Sequence, residues 1–404
     1  MSHDHYEGEA TTELSRRRFL KLSAMFTAAG ALPLLARYND AVAAEPDAPL
    51  RIGYLPITDA TPLLIAYHNK LFQKQGLKVD KPRMFRGWAQ IVEAFLSGNV
   101  NAVHMLSPMT VWARYGSHAP SKVVAWNHIN GSAVTVAVNH DIDDITGLAG
   151  TTFAIPFWYS IHNVVLQFLL KKRGLEPIKD GKPGPRQVKL VVMAPADMLP
   201  GLATGRISGY IVAEPFCGAA ELHKIGKILR FTGDVWKEHA CCVVQMHEKD
   251  IDERPAWTQK VVNGIVEAQV WTRQHRKETA HILSKDQPER FTPHTYETLA
   301  QTLVPSKKRR AEYIKSGAIQ HTDWVEPRIG FQPYPYPSYT ETLVDMLRHT
   351  VVDGKNAFLN ELDPAFAAKD LVDDRFVKNA IARVGGMSTF DQPESFQRTE
   401  VVEA

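Results

Sequence analysis

Polar and aromatic side chains collect where the sequence predicts strands to end. Thr58, Asp59 and Thr61 follow the alternating run 50–55, Trp88 precedes a second helix, and His104 and Ser107 close the run 100–106. Asn130 lies between strands, near a crossing from one half of the chain to the other. Trp158, Tyr159, Ser160 and His162 follow the strand 152–156, Glu214 follows 207–213, and Trp236, Lys237 and His239 precede 241–245. In open α/β sheets the carboxyl edge of the strands is where ligands sit. Helix starts at Thr61 and Ser160 present backbone N–H groups and a favourable dipole to an anion. Lys237 offers a compact full charge, and tryptophan walls would strengthen it by excluding water. The chemistry expected of this set is enclosure of a small anion, with no catalytic residue, metal or cofactor. Each residue also has a purely structural reading. Thr61 and Ser160 serve as helix caps, His104 as a core histidine bonded to backbone, and Trp88 as interlobe packing. Lys237 reads as a solvated lysine and Glu214 as an ordinary strand-end carboxylate. The clustering at one edge carries the functional reading.

What is absent narrows the classes. Phosphate-binding P-loops, dinucleotide fingerprints, HExxH, GxSxG and CxxC are all missing. The histidines of the body of the chain make no compact pair on one helix, and His3 and His5 fall in the leader. Three cysteines (Cys217, Cys241, Cys242) cannot build a disulfide framework or a four-thiolate metal site. With 47 Lys+Arg against 44 Asp+Glu over 404 residues, the chain is no polyanion-coating protein, and no nucleic-acid partner is expected.

The elements that must position these residues come in two similar sets. Strand 50–55 leads through Thr61-Pro62, a good cap and first helical residue, into a helix ended by Gly76. Strand 152–156 leads through Ser160 into a helix ended by Gly174. The stretch Phe95-Leu96-Ser97-Gly98-Asn99-Val100 is matched by Leu202-Ala203-Thr204-Gly205-Arg206-Ile207, helix end followed by strand. Two such units predict two α/β lobes, each with a mainly parallel sheet. The expected boundaries are 44–137 with 240–384 for the first lobe and its C-terminal helices, and 138–239 for the second. Residues 255–284 read as one long helix or a bent pair, with helices at 293–304 and 339–351. The proline-rich run 331–337 reads as an extended surface loop. Residues 385–404 read as a flexible tail.

The leader is an address. Ser15-Arg16-Arg17-Arg18-Phe19-Leu20-Lys21, an apolar stretch over 22–35 and Ala41-Val42-Ala43 have the layout of a twin-arginine export signal ending at 43. Periplasmic location follows, with membrane association if the signal stays uncleaved. The leader holds five residues of each charge sign, so its loss leaves the overall balance of +3 unchanged.

Four segments carry a resemblance: residues 52–66 (Ile52-Gly53-Tyr54 through Ala66), Ala213-Glu214-Pro215-Phe216, Asp234-Val235-Trp236-Lys237-Glu238-His239, and residues 264–271 (Gly264 through Trp271). Over about 50–385 the chain resembles the nitrate/bicarbonate branch of ABC-transporter periplasmic binding proteins, related to sulfonate and taurine binders. The resemblance implies two Rossmann-like lobes joined by a hinge, a type II periplasmic-binding-protein fold closing on an interlobe cleft. It also implies a monomer that delivers a nitrate- or nitrite-like anion to an ABC permease and its ATPase. It places the anion-holding lysine at Lys237. Asn130, His104 and Ala240-Cys241-Cys242 depart from the family pattern and leave a sulfonate, bicarbonate or another small organic solute as alternatives. Outside transport, the same fold serves thiamine-pyrimidine-synthesising enzymes and nitrate/nitrite sensors. The chain lacks the cysteine-rich signature of the former, and its export signal argues against the latter, so an enzyme is not expected.

Overall fold

The computed structural model describes residues 48–324, 328–354 and 356–404; the expected export signal lies outside them. The described residues hold thirteen strands. In the first half these are β1 (Ile52–Tyr54), β2 (Arg83–Met84), β3 (Ala102–Leu106), β4 (Ser121–Trp126), β5 (Ile129–Asn130) and β6 (Ser132–Ala137). Then follow β7 (Thr152–Ile155), β8 (Glu176–Ile178), β9 (Gln187–Val192), β10 (Gly209–Ala213), β11 (Gly226–Phe231), β12 (Cys242–His247) and β13 (Ile329–Gly330).

They form two large sheets of one design. The first runs β2-β1-β3-β12-β4, and the second runs β11-β6-β10-β7-β9-β8. Apart from the extra edge strand β8, the second sheet read backwards repeats the order of the first. In each, parallel strands fill one side and a single strand runs antiparallel to both of its neighbours: β12 between β3 and β4, β6 between β10 and β11. The helices repeat as well. α1 (Thr61–His68) and α2 (Trp88–Leu96) serve the first lobe as α3 (Ile161–Lys172) and α4 (Pro195–Ala203) serve the second. The strands are apolar along both faces, with β3 and β10 buried at every position, because helices cover both sides of a parallel sheet. The chain crosses to the second lobe before Ser132 and returns between Phe231 and Cys242. The outward boundary expected at 137 is therefore too late, because β6 belongs to the second sheet.

Several local expectations change. Thr61 is the first helical residue and not the cap: the turn Thr58–Ala60 runs directly into α1, and the Thr61 hydroxyl donates to Thr58 O at 2.6 Å. Ser160 does cap α3, its Oγ accepting from Asn163 N at 3.1 Å. The predicted bent pair is α6 (Pro255–Gln274) and α7 (Arg276–Leu283), broken at His275. α8 (Tyr296–Leu303) touches α5 (Phe216–Leu222) of the second lobe, so the C-terminal section braces both lobes. Residues 331–336 of this run are buried, with Phe331, Tyr334 and Tyr336 under the surface and Pro333 O accepting from Trp126 N; aromatic density outweighs proline content. The expected loose tail is docked. Val402 bridges Trp236, Lys237 N donates to Val401 O, Glu403 N donates to Val235 O, and Glu400 accepts from the Trp236 indole at 2.7 Å. Among the described residues no helix is long and apolar enough to cross a membrane.

Candidate functional site

The sheet topology decides which residues meet. Because β12 runs antiparallel, its first residues lie at the carboxyl ends of β3 and β4, with Cys242 opposite Leu106 and Val243 opposite Trp126. The same edge receives Asp59, in the turn after β1, and His128, just past β4. Asp59, His128, Cys241 and Cys242 place one ligand-type atom each within 4.8 Å of one another, and none of the four is exposed. The second lobe meets them with the matching edge. Ser132 opens the antiparallel strand β6 beside Ala213 at the end of β10, and His162 stands in the first turn of α3. The Ser132 hydroxyl is 2.9 Å from His162 Nε2, and Cys241 Sγ is 3.8 Å from the same nitrogen.

This pocket is charged and buried. Burial pushes the Asp59 carboxyl up to about 6 despite the neighbouring His128. Burial alone would lower His128, but Asp59 overrides it and raises the imidazole to about 10. Their contact, Asp59 Oδ2 to His128 Nε2, is 2.9 Å, yet no N–H is aimed along it; Cys242 N–H instead points at that Nε2 from 3.2 Å. Burial also opposes the Cys241 thiolate, but hydrogen bonding from Cys242 and the charge on His162 outweigh it and hold the thiol well below its usual range. Cys242 shifts upward, through burial and its neighbour's charge.

Neutral groups accompany this charged set at the strand ends. His104 Nε2 accepts from Leu55 N at 2.7 Å, so its proton resides on Nδ1, which has no hydrogen-bond partner among the described residues. Burial, with the charge on His128, holds that imidazole down to about 3. His239 is the mirror case: Nδ1–H donates to Trp236 O at 2.8 Å, leaving Nε2 as an unpartnered acceptor. Burial keeps His239 down to about 4. The Trp88 indole N–H, the Asn127 and Asn130 side-chain amides and the Tyr159 hydroxyl are likewise buried without partners. The Trp88 ring lies 5.5 Å from that of His104. A buried polar group without a partner costs about 1–3 kcal/mol, so this many at one lobe junction mark a place built to receive a polar guest.

The expected site residues divide accordingly. Asp59, Trp88, His104, Asn130, Tyr159 and His239 bring unpartnered polar atoms to the junction. Thr58 instead ties the lobes, donating from both N and Oγ1 to Glu214 O. Thr61 and Ser160 spend their hydroxyls on local backbone. The Ser107 hydroxyl pairs with Tyr339 and Ala240 O. Glu214 is consumed by an ion pair with Arg328 at 2.5 Å and by bonds from Gly218 N and Thr302. Trp158 is partly exposed and offers its carbonyl to Asn163. Trp236 buries its ring and bonds Glu400. The Lys237 ammonium lies 5.8 Å over the Trp324 ring, at a half-buried position held by the tail.

His128, Cys241 and Cys242 are not among the expected site residues, and no metal-ligand set is expected from the sequence; with Asp59 they form one buried cluster of ligand-type atoms. His128 lies 114 residues before Cys242, and Asp59 stands far upstream of both, so no spacing motif joins the adjacent cysteines to their two partners. The legible signal was His239-Ala240-Cys241-Cys242, two thiols and an imidazole at the start of a strand.

Two like lobes meeting at the carboxyl edges of their sheets, around a buried polar cluster, are the periplasmic binding protein fold. The chain belongs to the NMT1-like family, whose model matches residues 43–285. It is 25% identical over 240 residues to a nitrate/nitrite binding protein of Nostoc, covering 55% of this chain and 53% of that protein. It is 25% identical over 256 residues to a nitrate import ATP-binding protein of Synechocystis, covering 59% of this chain and 37% of that protein. The chain thus spans about half, or less, of these curated relatives. The crystal structure of the periplasmic nitrate-binding protein of Synechocystis superposes with a TM-score of 0.71 at 19% identity, over 87% of this chain and 92% of that one.

Proposed function

We propose that this protein is the solute-capturing component of an ABC import system, working in the periplasm as a monomer and handing a small anion of the nitrate and nitrite class to a permease with its ATPase. One observation supports the reading above others: the set of buried neutral donors at the lobe junction, Trp88 Nε1–H, His104 Nδ1–H, the Asn127 and Asn130 amides and the Tyr159 hydroxyl, none with a hydrogen-bond partner among the described residues. Neutral donors in a water-excluded site can hold an oxyanion without a lysine, since each bond to a charged acceptor contributes about 1.5–3 kcal/mol there. The names of the relatives point the same way. Closure follows from the ligand bridging the two lobes at their junction, where Thr58 already ties to Glu214.

Calorimetry of the purified protein against nitrate, nitrite, bicarbonate, cyanate, taurine and alkanesulfonates tests it. Nitrate or nitrite should bind with a dissociation constant below roughly a millimolar. Trp88→Phe should weaken that binding by about tenfold or more. If no anion of the panel binds, the reading is lost; tighter binding of a sulfonate would move the substrate class.

A further inference from the structure

The neutral donors do not account for the other half of the junction. Asp59, Cys241 and Cys242 are anionic or electron-pair-donating groups, His128 joins them once it gives up its proton to an incoming cation, and an anion-binding pocket has no use for this set side by side. All four are fully buried, and the two thiols are free. We propose that they form a binding site for one thiophilic divalent cation of the zinc class, separate from the atoms that would hold an anion and independent of that reading.

The geometry is that of a ligand set. The four ligand atoms lie within 4.8 Å of one another. Cys241 Sγ and Cys242 Sγ are 4.0 Å apart. Two thiolates on a tetrahedral zinc with bonds of about 2.3 Å stand about 3.8 Å apart, so the sulfurs need almost no movement. Both Asp59 oxygens lack a hydrogen-bond partner among the described residues although the carboxylate is wholly buried. Asp59 Oδ2 and His128 Nε2 approach to 2.9 Å without an aligned N–H between them, and a cation held there would displace the Cys242 N–H that points at the same Nε2 from 3.2 Å.

The donor types narrow the ion. Two thiols exclude calcium and magnesium, which take oxygen ligands. A carboxylate and an imidazole beside the thiols suit a borderline divalent ion better than copper(I), which prefers sulfur alone. Supporting contacts are in place: the Ser132 hydroxyl lies 4.0 Å from Cys241 Sγ and His162 Nε2 lies 3.8 Å from it, both from the second lobe. The four ligands all sit on the first lobe's edge, so the cation would load there and the second lobe would close over it.

The test uses the full mature chain, purified under a reductant, stripped with a chelator and kept free of nitrate and other panel anions. Cobalt(II), then zinc, is added alone. One cobalt per chain should produce thiolate-to-cobalt charge-transfer absorption, which zinc then abolishes, with a dissociation constant below about a micromolar. Cys242→Ser and Asp59→Asn should each weaken zinc binding by at least about a hundredfold, and circular dichroism checks their folding. The wild type also reports alone: zinc should slow the reaction of two of its three thiols with a thiol reagent, leaving Cys217 as the internal control. Absence of the charge-transfer band at one equivalent overturns the proposal. So does a Cys241–Cys242 disulfide in protein isolated from the periplasm, or tighter binding of copper(I) that ignores Asp59→Asn. Anion calorimetry on the stripped protein is a separate arm, so loss of the anion reading and loss of this one are told apart.

Discussion

Glu214 ends β10 with a carboxylate that has no exposed surface, 2.5 Å from the Arg328 guanidinium and bonded by Gly218 N and Thr302 Oγ1. It pins the second lobe to the C-terminal section. Removing one partner of such a buried pair leaves the other charge stranded, so Glu214→Gln should cost about 3 kcal/mol in urea denaturation. Lys237→Ala, by contrast, removes an ammonium that rests on Trp324, and it should leave both stability and solute affinity within experimental error. An abolished affinity in that variant would restore the lysine to the site. Two histidines make acid sensitivity legible. Burial holds His247 down to about 4, where it stacks on Phe95, donates to Val100 O and faces the Arg51 charge. Burial does the same to His294, whose Nε2–H donates to Pro56 O. Each stays neutral in the fold while its unfolded counterpart protonates near 6.5. Stability is therefore full above pH 6.5 and falls as pH drops toward 4, by a few kcal/mol in total. His247→Gln should flatten the denaturation free energy measured across that window.

At the scale of elements, packing decides outcomes that propensity would reverse. Gly264 lies inside α6, where alanine would favour the helix by about 1 kcal/mol. A Cβ there meets Phe72 at 2.7 Å, and Phe72 is wholly buried, so overpacking costs about 1–3 kcal/mol. Gly264→Ala should accordingly lower the melting temperature, and a rise would show that Phe72 can move. The strand-helix repeat was legible because glycine ends and apolar periodicity are local signals, whereas the break at His275 was not placed by them, since 255–284 read equally as one long helix or a bent pair. The outward crossover was not: Ser132–Ala137 looks like any apolar strand, and only its pairing with β10 and β11 assigns it to a lobe. Half of the candidate site was equally out of reach. Asp59 and His104 could be read from strand ends, whereas His128 and the cysteine pair are joined to them only by the antiparallel insertion of β12.

Over the whole molecule, the last residues act on the return crossover. Arg398 lies over the Trp126 and Tyr336 rings and pairs with Glu400, which holds Trp236; Val401 and Glu403 bond Lys237 and Val235. Deleting 396–404 should leave both lobes folded yet speed amide exchange at Val235 to His239 by at least about tenfold, measured by mass spectrometry. Unchanged exchange would mean that the tail merely rests there.

The central position of β12 has a consequence for synthesis. The second sheet is continuous in the chain from β6 to β11, so its strands are all present once Phe231 has been made. The first sheet cannot zip up until Cys242–His247 emerges to fill the gap between β3 and β4. During vectorial synthesis the later lobe should mature before the earlier one, the reverse of the usual order. The same six residues bring Cys242, with Cys241 just ahead of it, to Asp59 and His128. Any ion held there would be a late arrival, and its capture would report that the whole chain had finished folding.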